Sequence, residues 1–161
     1  MKENCVVVWL GGHATHLPEG VNEYNMRQDI ASARMVFGCG VPLVHLSCNG
    51  TVDRFLTTKQ ELAYWLKGKN ELCDYLYERT VSEAETYAKG KPWSRVIWDV
   101  TTVAWLMNDM NRYMNDRIVP APILGYDMEY AFDNSRHSIC SVYRINRDRL
   151  FEDLFQTLAQ N

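Results

Sequence analysis

Two short apolar runs flank an amphipathic segment at the start of the chain. Residues 4–10 form the first run, which ends at Gly11-Gly12, and residues 41–46 form the second. Apolar positions recur with helical spacing over about 28–38. Short continuous apolar runs are typical of strands buried in parallel sheets. The order strand, helix, strand therefore predicts a βαβ unit and a parallel sheet.

Helical and extended patterns alternate along the remainder of the chain. Thr57 or Thr58 is predicted to cap a helix that runs to about 66, and Glu61 lies at capping-box spacing from Thr58. Further helices are predicted over about 70–88, after Asp99, and from Asn146 or Asp148 onward. The predicted strands cover 95–98, 117–124 and 138–145, the last two as a pair. No repeat, low-complexity tract or linker interrupts this pattern. The sequence predicts a single α/β domain over 1–161, with an open, mainly parallel sheet flanked by helices.

Composition and charge narrow the class of protein. Of the 161 residues, 47% are hydrophobic and the net charge is -3, which is typical of a soluble globular protein. No basic stripe is present, so we expect no nucleic-acid partner. The first apolar run is too short for a membrane span and lacks a signal-peptide cleavage pattern, so we expect no membrane association. Five widely spaced cysteines without a Cys-x-x-Cys pair predict a reduced, cytoplasmic protein with buried thiols.

A polar segment precedes the first predicted helix. Glu23 and Asn25 lie two residues apart, so in an extended segment their side chains face the same side. An acid and an amide placed in this way can bind the cis hydroxyls of a sugar. The alternative interpretation is an ordinary polar loop before a helix.

A second candidate is the pair Trp98-Asp99 at the start of another predicted helix. Asp99 either caps that helix through its amides or faces a cleft beyond the strand ends, where α/β folds bind ligands. His13 and His16 follow a strand end and are better explained by a ligand-facing loop than by zinc, because zinc needs three or four protein ligands. His45 lies in an apolar run and is interpreted as a core residue.

These motifs together resemble the inosine-uridine preferring nucleoside hydrolases. The resemblance is carried by Val-Val-Val-Trp-Leu-Gly-Gly at 6–12, Asn-Glu-Tyr-Asn-Met-Arg-Gln-Asp at 22–29, Ala-Arg-Met-Val-Phe at 33–37 with Gly40-Val-Pro, and Val-Ile-Trp-Asp-Val-Thr-Thr-Val-Ala-Trp-Leu at 96–106. The family shows an apolar strand ending in Gly-Gly, then Glu-Phe-Asn, Asp and a helix, Gly-x-Pro, and later His-Asp-Pro before a helix. The match spans nearly the whole chain.

The resemblance implies a Rossmann-related α/β fold and cleavage of the N-glycosidic bond of ribonucleosides with a calcium ion. Glu23 and Asn25 would bind the ribose hydroxyls, and Asp99 would ligate calcium. Calcium takes six to eight oxygen ligands, so carboxylates and sugar hydroxyls suit it. The expected small-molecule partner is thus a ribonucleoside or ribose.

The sequence departs from the family pattern in three ways. The Asp-rich motif that supplies most calcium ligands and the catalytic base is absent, so the chain resembles the C-terminal half of a member. Trp98 stands where many members have a leaving-group histidine, although an indole can still stack on a base. The family's additional ribose-binding asparagine has no clear match, and Asn22 is a nearby candidate.

These departures leave two functional classes open. In one, the chain is half of a calcium-dependent nucleoside hydrolase, inactive and without bound calcium unless complemented. In the other, it is a vestigial fragment that binds a nucleoside or ribose without catalysis. Because half a sheet leaves an edge strand unpaired, we expect a homo-oligomer or docking with a complementing N-terminal half.

Overall fold

The structure, a computed structural model, describes residues 4–17 and 20–160. The elements are β1 Val7–Leu10, α1 Tyr24–Gln28, α2 Ile30–Gly38, β2 Leu43–Leu46, β3 Leu56–Thr57, α3 Lys59–Trp65, α4 Glu71–Ala88, β4 Arg95–Val96, α5 Val100–Leu106, β5 Met114–Pro120, β6 Ile123–Leu124, β7 Tyr130–Ala131, β8 Ser138–Ile145 and α6 Arg147–Gln160. Short 3-10 turns lie at Val52–Arg54 and Asp109–Asn111. Within the described ranges no helix is both long and apolar enough to cross a bilayer.

Two compact units make up the chain. The first comprises the described part of Met1–Arg54 together with Trp98–Ile145, and the second comprises Phe55–Ile97 with the described part of Asn146–Asn161. The single domain over 1–161 stays a prediction.

A four-stranded sheet in the order β1-β2-β8-β5 is the framework of the first unit. The pairs β1-β2 and β2-β8 are parallel, whereas β5 pairs with β8 in the antiparallel direction. All four residues of the central strand β2 are buried, because both of its faces are covered. The predicted mainly parallel sheet and the predicted pairing of the last two long strands are therefore confirmed. The predicted strand 117–124 is divided in the structure: β5 ends at Pro120, and β6 pairs with β7 instead of β8.

Helices α1 and α2 pack their apolar side chains into the core of this unit. Met26 of α1 and Phe37 of α2 are 0% and 1% exposed, and they join one buried cluster with Leu43, Leu124 and Ile139. His45 of β2 is also buried; burial lowers its pKa, and its Nε2 lies 2.8 Å from the Gly11 carbonyl oxygen. The neutral ring donates to that carbonyl, which confirms the core interpretation.

Helices α3, α4 and α6 form most of the second unit. Thr58 caps α3 by accepting from the Glu61 amide, as predicted, and Asn70 caps α4 by accepting from the Cys73 amide. Aromatic stacking holds α6 in place, with ring centroids of Phe55 and Phe151 4.0 Å apart.

The two edge strands of the sheet differ in chemistry. β5 carries an irregularity between Asn115 and Asp116, the exposed charge of Arg117, and Pro120, which has no amide to donate. All three features are known to discourage further strand pairing. β1, at the other edge, reads Val-Val-Trp-Leu with no charge, and no described strand pairs with its outer side.

The cysteines agree only partly with the sequence prediction. Cys48 and Cys73 are buried as expected, Cys39 and Cys140 are half-buried, and Cys5 is exposed. All five are free thiols. The exposed position of Cys5 arises because it precedes β1, which the apolar pattern had extended back to residue 4.

Candidate functional site

A cavity of about 380 Å³ lies at the carboxyl end of β1, within the first unit. Nine residues line it: Leu10, His13, Glu23, Tyr24, Asn25, Cys48, Asn49, Trp98 and Asp99. They come from the last residue of β1, from the segments that follow β1 and β2, from the start of α1, and from the start of α5. This is the edge of a parallel sheet where α/β folds bind ligands.

Glu23 is the most tightly held side chain of the cavity. Its Oε2 accepts hydrogen bonds from the amides of Gly12 at 2.7 Å and Met26 at 3.3 Å. Its Oε1 accepts from the Asn25 amide at 2.8 Å. A carboxylate has about four acceptor positions. Glu23 therefore caps α1 and ties it to the end of β1, and most of its acceptor capacity is already used.

Gly12 makes this contact possible. Its φ of +66° is a left-handed conformation that favours glycine. A Cβ at this position would lie 2.3 Å from Met26 Cε and 2.6 Å from Tyr130 Oη. The Gly11-Gly12 turn thus brings a backbone amide against the Glu23 carboxylate, where any side chain would interfere.

The two ends of the Asn25 side-chain amide have different roles: the nitrogen bonds to the protein backbone and the oxygen belongs to the cavity. Its Nδ2 donates to the Leu10 carbonyl oxygen at 3.1 Å, at the carboxyl end of β1. This bond holds the nitrogen Nδ2 at the strand. The oxygen Oδ1 of Asn25 therefore remains as the atom that can accept a hydrogen bond from a ligand in the cavity.

Trp98 and Asp99 form a less constrained wall. Asp99 is exposed and precedes α5, but its side chain makes no capping hydrogen bond. Trp98 is half-buried. The interpretation of Asp99 as a helix cap is therefore wrong, and the alternative, in which it faces a cleft, agrees with its place in the cavity.

Cys48 lines the same cavity as these two acids, and its thiol is unreactive. Burial raises the pKa of the Cys48 thiol, the negative charge of Glu23 and a hydrogen bond to its carboxylate raise it further, and the charge of Asp99 adds to the effect. The thiol stays protonated at neutral pH and is a poor nucleophile.

The described residues do not fit a calcium ion on their own. No group of three or more His, Cys, Asp or Glu side chains in the described ranges is arranged to hold a metal. Of the two carboxylates in the cavity, Glu23 is engaged with backbone amides, which leaves Asp99. One carboxylate fills few of the six to eight positions that calcium requires.

The structure brings together four of the five predicted site residues. Glu23, Asn25, Trp98 and Asp99 line the same cavity. Asn22 is exposed and is not among the lining residues. That it binds ligand stays a prediction, as do the ligand-binding roles of the other four.

Asn49 and Cys48 are cavity residues that the sequence analysis did not propose. Both follow β2, just as His13 follows β1. The available signal was their position, because residues that follow adjacent parallel strands meet at one edge of the sheet.

Comparisons with solved structures place the fold among the nucleoside hydrolases. No family model and no curated protein matches the sequence. An inosine-uridine preferring nucleoside hydrolase from Bacillus anthracis matches with a TM-score of 0.69 and 20% identity, over 94% of this chain and 50% of that chain. A plant nucleoside hydrolase matches with a TM-score of 0.74 and 17% identity, over 93% and 52%. A purine-preferring ribonucleoside hydrolase from Gardnerella vaginalis matches with a TM-score of 0.71 and 16% identity, over 93% and 51%.

The chain therefore has the α/β fold of nucleoside hydrolases and spans about half the length of these three structures. This agrees with the predicted resemblance to the C-terminal half of a member. At this level of identity the likeness shows the fold, and the function has to be argued from the cavity.

Proposed function

We propose that this chain is a nucleoside hydrolase-like unit that binds the ribose part of a ribonucleoside in the cavity at the end of β1. The observation that carries the proposal is the convergence of two pairs of residues on one cavity. Glu23 and Asn25 form one pair, and Trp98 and Asp99, far away in the sequence, form the other. This convergence occurs at the ligand-binding edge of a fold shared with nucleoside hydrolases.

The cavity offers groups that match a nucleoside in polarity. Asn25 Oδ1 and the Asp99 carboxylate are acceptors for sugar hydroxyls. The half-buried indole of Trp98 and the ring of Tyr24, which is 65% exposed, supply aromatic surface for a base. Glu23 fixes the geometry of the α1 start, because three backbone amides and the Cys48 thiol occupy its acceptor positions.

We further propose that the 161 residues alone do not hydrolyse nucleosides. Hydrolysis of an N-glycosidic bond passes through an oxocarbenium-like transition state and needs an activated water. In the family, calcium and an Asp-rich motif activate that water. The motif is absent from this sequence, and the cavity has one carboxylate that is not bound to backbone amides. Calcium at a complete site would need ligands from outside these residues.

Nucleoside binding and turnover are tested on the same preparation. Inosine, uridine and ribose are titrated into the purified chain by calorimetry, and reducing sugar is then assayed with each nucleoside in the presence of calcium. We expect saturable binding and no sugar release above a protein-free blank. Release of ribose would contradict the proposed inactivity, and no binding of any of the three ligands would contradict the proposed function.

The uncharged edge of β1 supports a protein partner, either a second copy of the chain or a complementing N-terminal half. Val7 donates to the Pro42 carbonyl and Gly11 to the Leu46 carbonyl, so alternate residues of β1 direct their amides away from β2. The outward amides are available to a further strand, whereas the Leu10 carbonyl on that side already accepts from Asn25 Nδ2.

Two lysine substitutions at exposed apolar positions test this edge. Val6→Lys lies beside β1 and Ile118→Lys lies on β5, and the native side chains are 50% and 69% exposed. We expect light scattering to show self-association of the native chain, loss of it in Val6→Lys and no change in Ile118→Lys. A native chain that is monomeric at all concentrations would rule out the second copy as partner.

One experiment separates half of an enzyme from a vestigial binding unit: adding a polypeptide that carries the Asp-rich motif and measuring ribose release. If the chain is half of an enzyme, adding a polypeptide with the Asp-rich motif restores calcium-dependent ribose release. If it is a vestigial binding unit, ribose stabilises the chain against heat and no polypeptide of that kind produces turnover. A cytoplasmic location stays a prediction from the cysteine pattern.

A further inference from the structure

His13 occupies a fixed position in the wall of the cavity. Backbone hydrogen bonds hold the residues on both sides of it: the Cys48 amide donates to the Gly12 carbonyl at 2.8 Å, and the Ala14 amide donates to the Asn49 carbonyl at 2.9 Å. The side chain is 9% exposed and lines the cavity. A histidine in a strand-end loop is thus locked between the segments that follow β1 and β2.

Neither ring nitrogen of His13 makes a short hydrogen bond to a described residue. Its Nδ1 is buried and has no hydrogen-bond partner among the described residues. Its Nε2 lies 3.5 Å from Nδ2 of Asn49, beyond the usual range for a hydrogen bond between nitrogen and a polar partner. A buried polar group left in this state costs free energy, and such groups in native proteins call for a functional explanation or a bound water.

We propose that His13 is a ligand-binding residue of the cavity, which hydrogen-bonds the bound nucleoside through its Nε2 edge next to Asn49. The proposal rests on the proposed function, because it assigns a role within the same nucleoside-binding cavity. It also goes beyond that function, because the sequence placed His13 in a ligand-facing loop without assigning it any contact with a ligand.

The chemistry of the pair explains why an imidazole suits this position. A neutral imidazole has one donor and one acceptor nitrogen, and the Asn49 amide has both a donor and an acceptor end. A nucleoside hydroxyl or base edge that lies beside the pair, within hydrogen-bonding distance of both side chains, adds two short hydrogen bonds to the one long contact. Trp98, in the same cavity, has only a donor N–H, so His13 supplies an imidazole that position 98 lacks.

A matched pair of substitutions tests this inference on the full chain. His13→Phe keeps a ring of similar size without nitrogens, and His16→Phe makes the same change at an exposed histidine of the same loop. We expect His13→Phe to weaken inosine or uridine binding about five- to tenfold, the value of one lost hydrogen bond. We expect His16→Phe to bind as the native chain does, because His16, although predicted to lie in a ligand-facing loop, is exposed and is not among the residues that line the cavity. Thermal stability of His13→Phe is expected to be retained, because the poorly bonded nitrogens are replaced by apolar atoms.

NMR of the native chain gives a second measurement that does not depend on how the variants fold. The nitrogen shifts of the two histidine rings are followed while inosine is added, and again with ribose. We expect the His13 ring nitrogens to shift on binding and those of His16 to stay unchanged. A shift with inosine alone places the contact on the base, and a shift with both ligands places it on the sugar.

The possible failures are distinguishable. If the native chain binds neither nucleosides nor ribose, the proposed function fails and this inference fails with it. If the native chain binds but His13→Phe binds equally well and the His13 nitrogens do not move, only the role of His13 is overturned. Unchanged affinity with a lower melting temperature would show that His13 is structural, for instance as the holder of an ordered water.

Discussion

Two acidic residues stand at the starts of two helices and line the same cavity, yet they are held in opposite ways. Glu23, before α1, is buried and accepts three backbone hydrogen bonds. Asp99, before α5, is exposed and caps nothing. One acid of the cavity is therefore held in place by backbone hydrogen bonds, and the other makes no hydrogen bond to the amides of its helix.

Backbone conformation explains this difference. Glu23 has φ -118° and ψ 158°, the extended conformation from which a side chain reaches the first amides of a helix. Asp99 has φ -77° and ψ -23°, which is already helical, so its carboxylate is not directed at the α5 amides. The residue type at a helix start thus does not determine its role, and the conformation that precedes the helix does.

Removing the fixed acid should have the largest effect on the molecule. Glu23→Ala leaves the amides of Gly12, Asn25 and Met26 without their acceptor, two of these bonds being buried. We expect a loss of about 3–5 kcal/mol in the free energy of unfolding. Urea denaturation measures it, with Glu23→Gln, which keeps one acceptor oxygen, as the milder control. A loss below about 1 kcal/mol would show that the cap is unimportant.

Substitution of the glycine that faces Glu23 should come next in size. Gly12→Ala adds a Cβ at a positive φ and within 2.3 Å of Met26 Cε. We expect it to lower the free energy of unfolding by about 1–3 kcal/mol, since both strain and overpacking act. Gly68→Ala is the control for φ alone, because that glycine has φ +75° with nothing within 4 Å of the added Cβ. Equal losses at the two positions would argue against the close packing at Gly12.

Neutralising Asp99, which caps no helix, should lower nucleoside affinity more than it lowers the free energy of unfolding. Asp99→Asn removes no capping hydrogen bond, so we expect the free energy of unfolding to change by less than about 0.5 kcal/mol. We expect nucleoside affinity to fall about tenfold, as for a lost hydrogen bond to a charged group. Calorimetry and urea denaturation of the same samples separate the two effects. A large loss of stability with unchanged affinity would reverse the roles assigned to Asp99 and Glu23.

A third acid stands at the start of a helix and adds a capping residue outside the cavity to the comparison. Its substitution should have the smallest effect on stability. Asp29 caps α2 through the Ser32 amide at 3.0 Å and is exposed. Hydrogen bonds from the Ser32 side chain and amide lower the pKa of Asp29. Its contribution to stability is thus present above the pKa of the unfolded chain and is lost as the pH falls through the lower, folded pKa.

Asp29→Asn should consequently differ from the native chain near neutral pH and approach it in acid. Chemical unfolding at a series of pH values measures this difference, with Asp99→Asn, which lacks a cap, as the control. A difference that grows toward low pH would contradict the direction of the pKa shift.

The sequence predicted much of the fold and part of the site. The apolar runs and their order predicted the parallel sheet, and Thr58 with Glu61 predicted the start of α3, because these signals are local. The family resemblance implied that Glu23, Asn25 and Asp99 belong to one site, and all three line the same cavity. The engagement of Glu23 with Gly12 was not predictable, since it depends on a contact between residues eleven positions apart and on a positive φ.

The helix caps also depend on contacts that local sequence rules do not predict. Glutamate is not among the residue types preferred at helix starts and aspartate is, so sequence rules favoured Asp99 as a cap over Glu23. Tertiary contacts reversed that preference. Asn49 was missed for a similar reason: its neighbour His13 lies 36 positions away, and only the pairing of β1 with β2 brings them together.

The unlike edges of the sheet limit how the protein can assemble. A strand added beside β1 would complete that side, whereas β5, with its irregularity, Arg117 and Pro120, discourages pairing with a further chain. Two copies joined through their β1 strands would display only β5 at both outer borders. Growth by strand addition then terminates after a single step, which yields particles of finite size in place of fibrils.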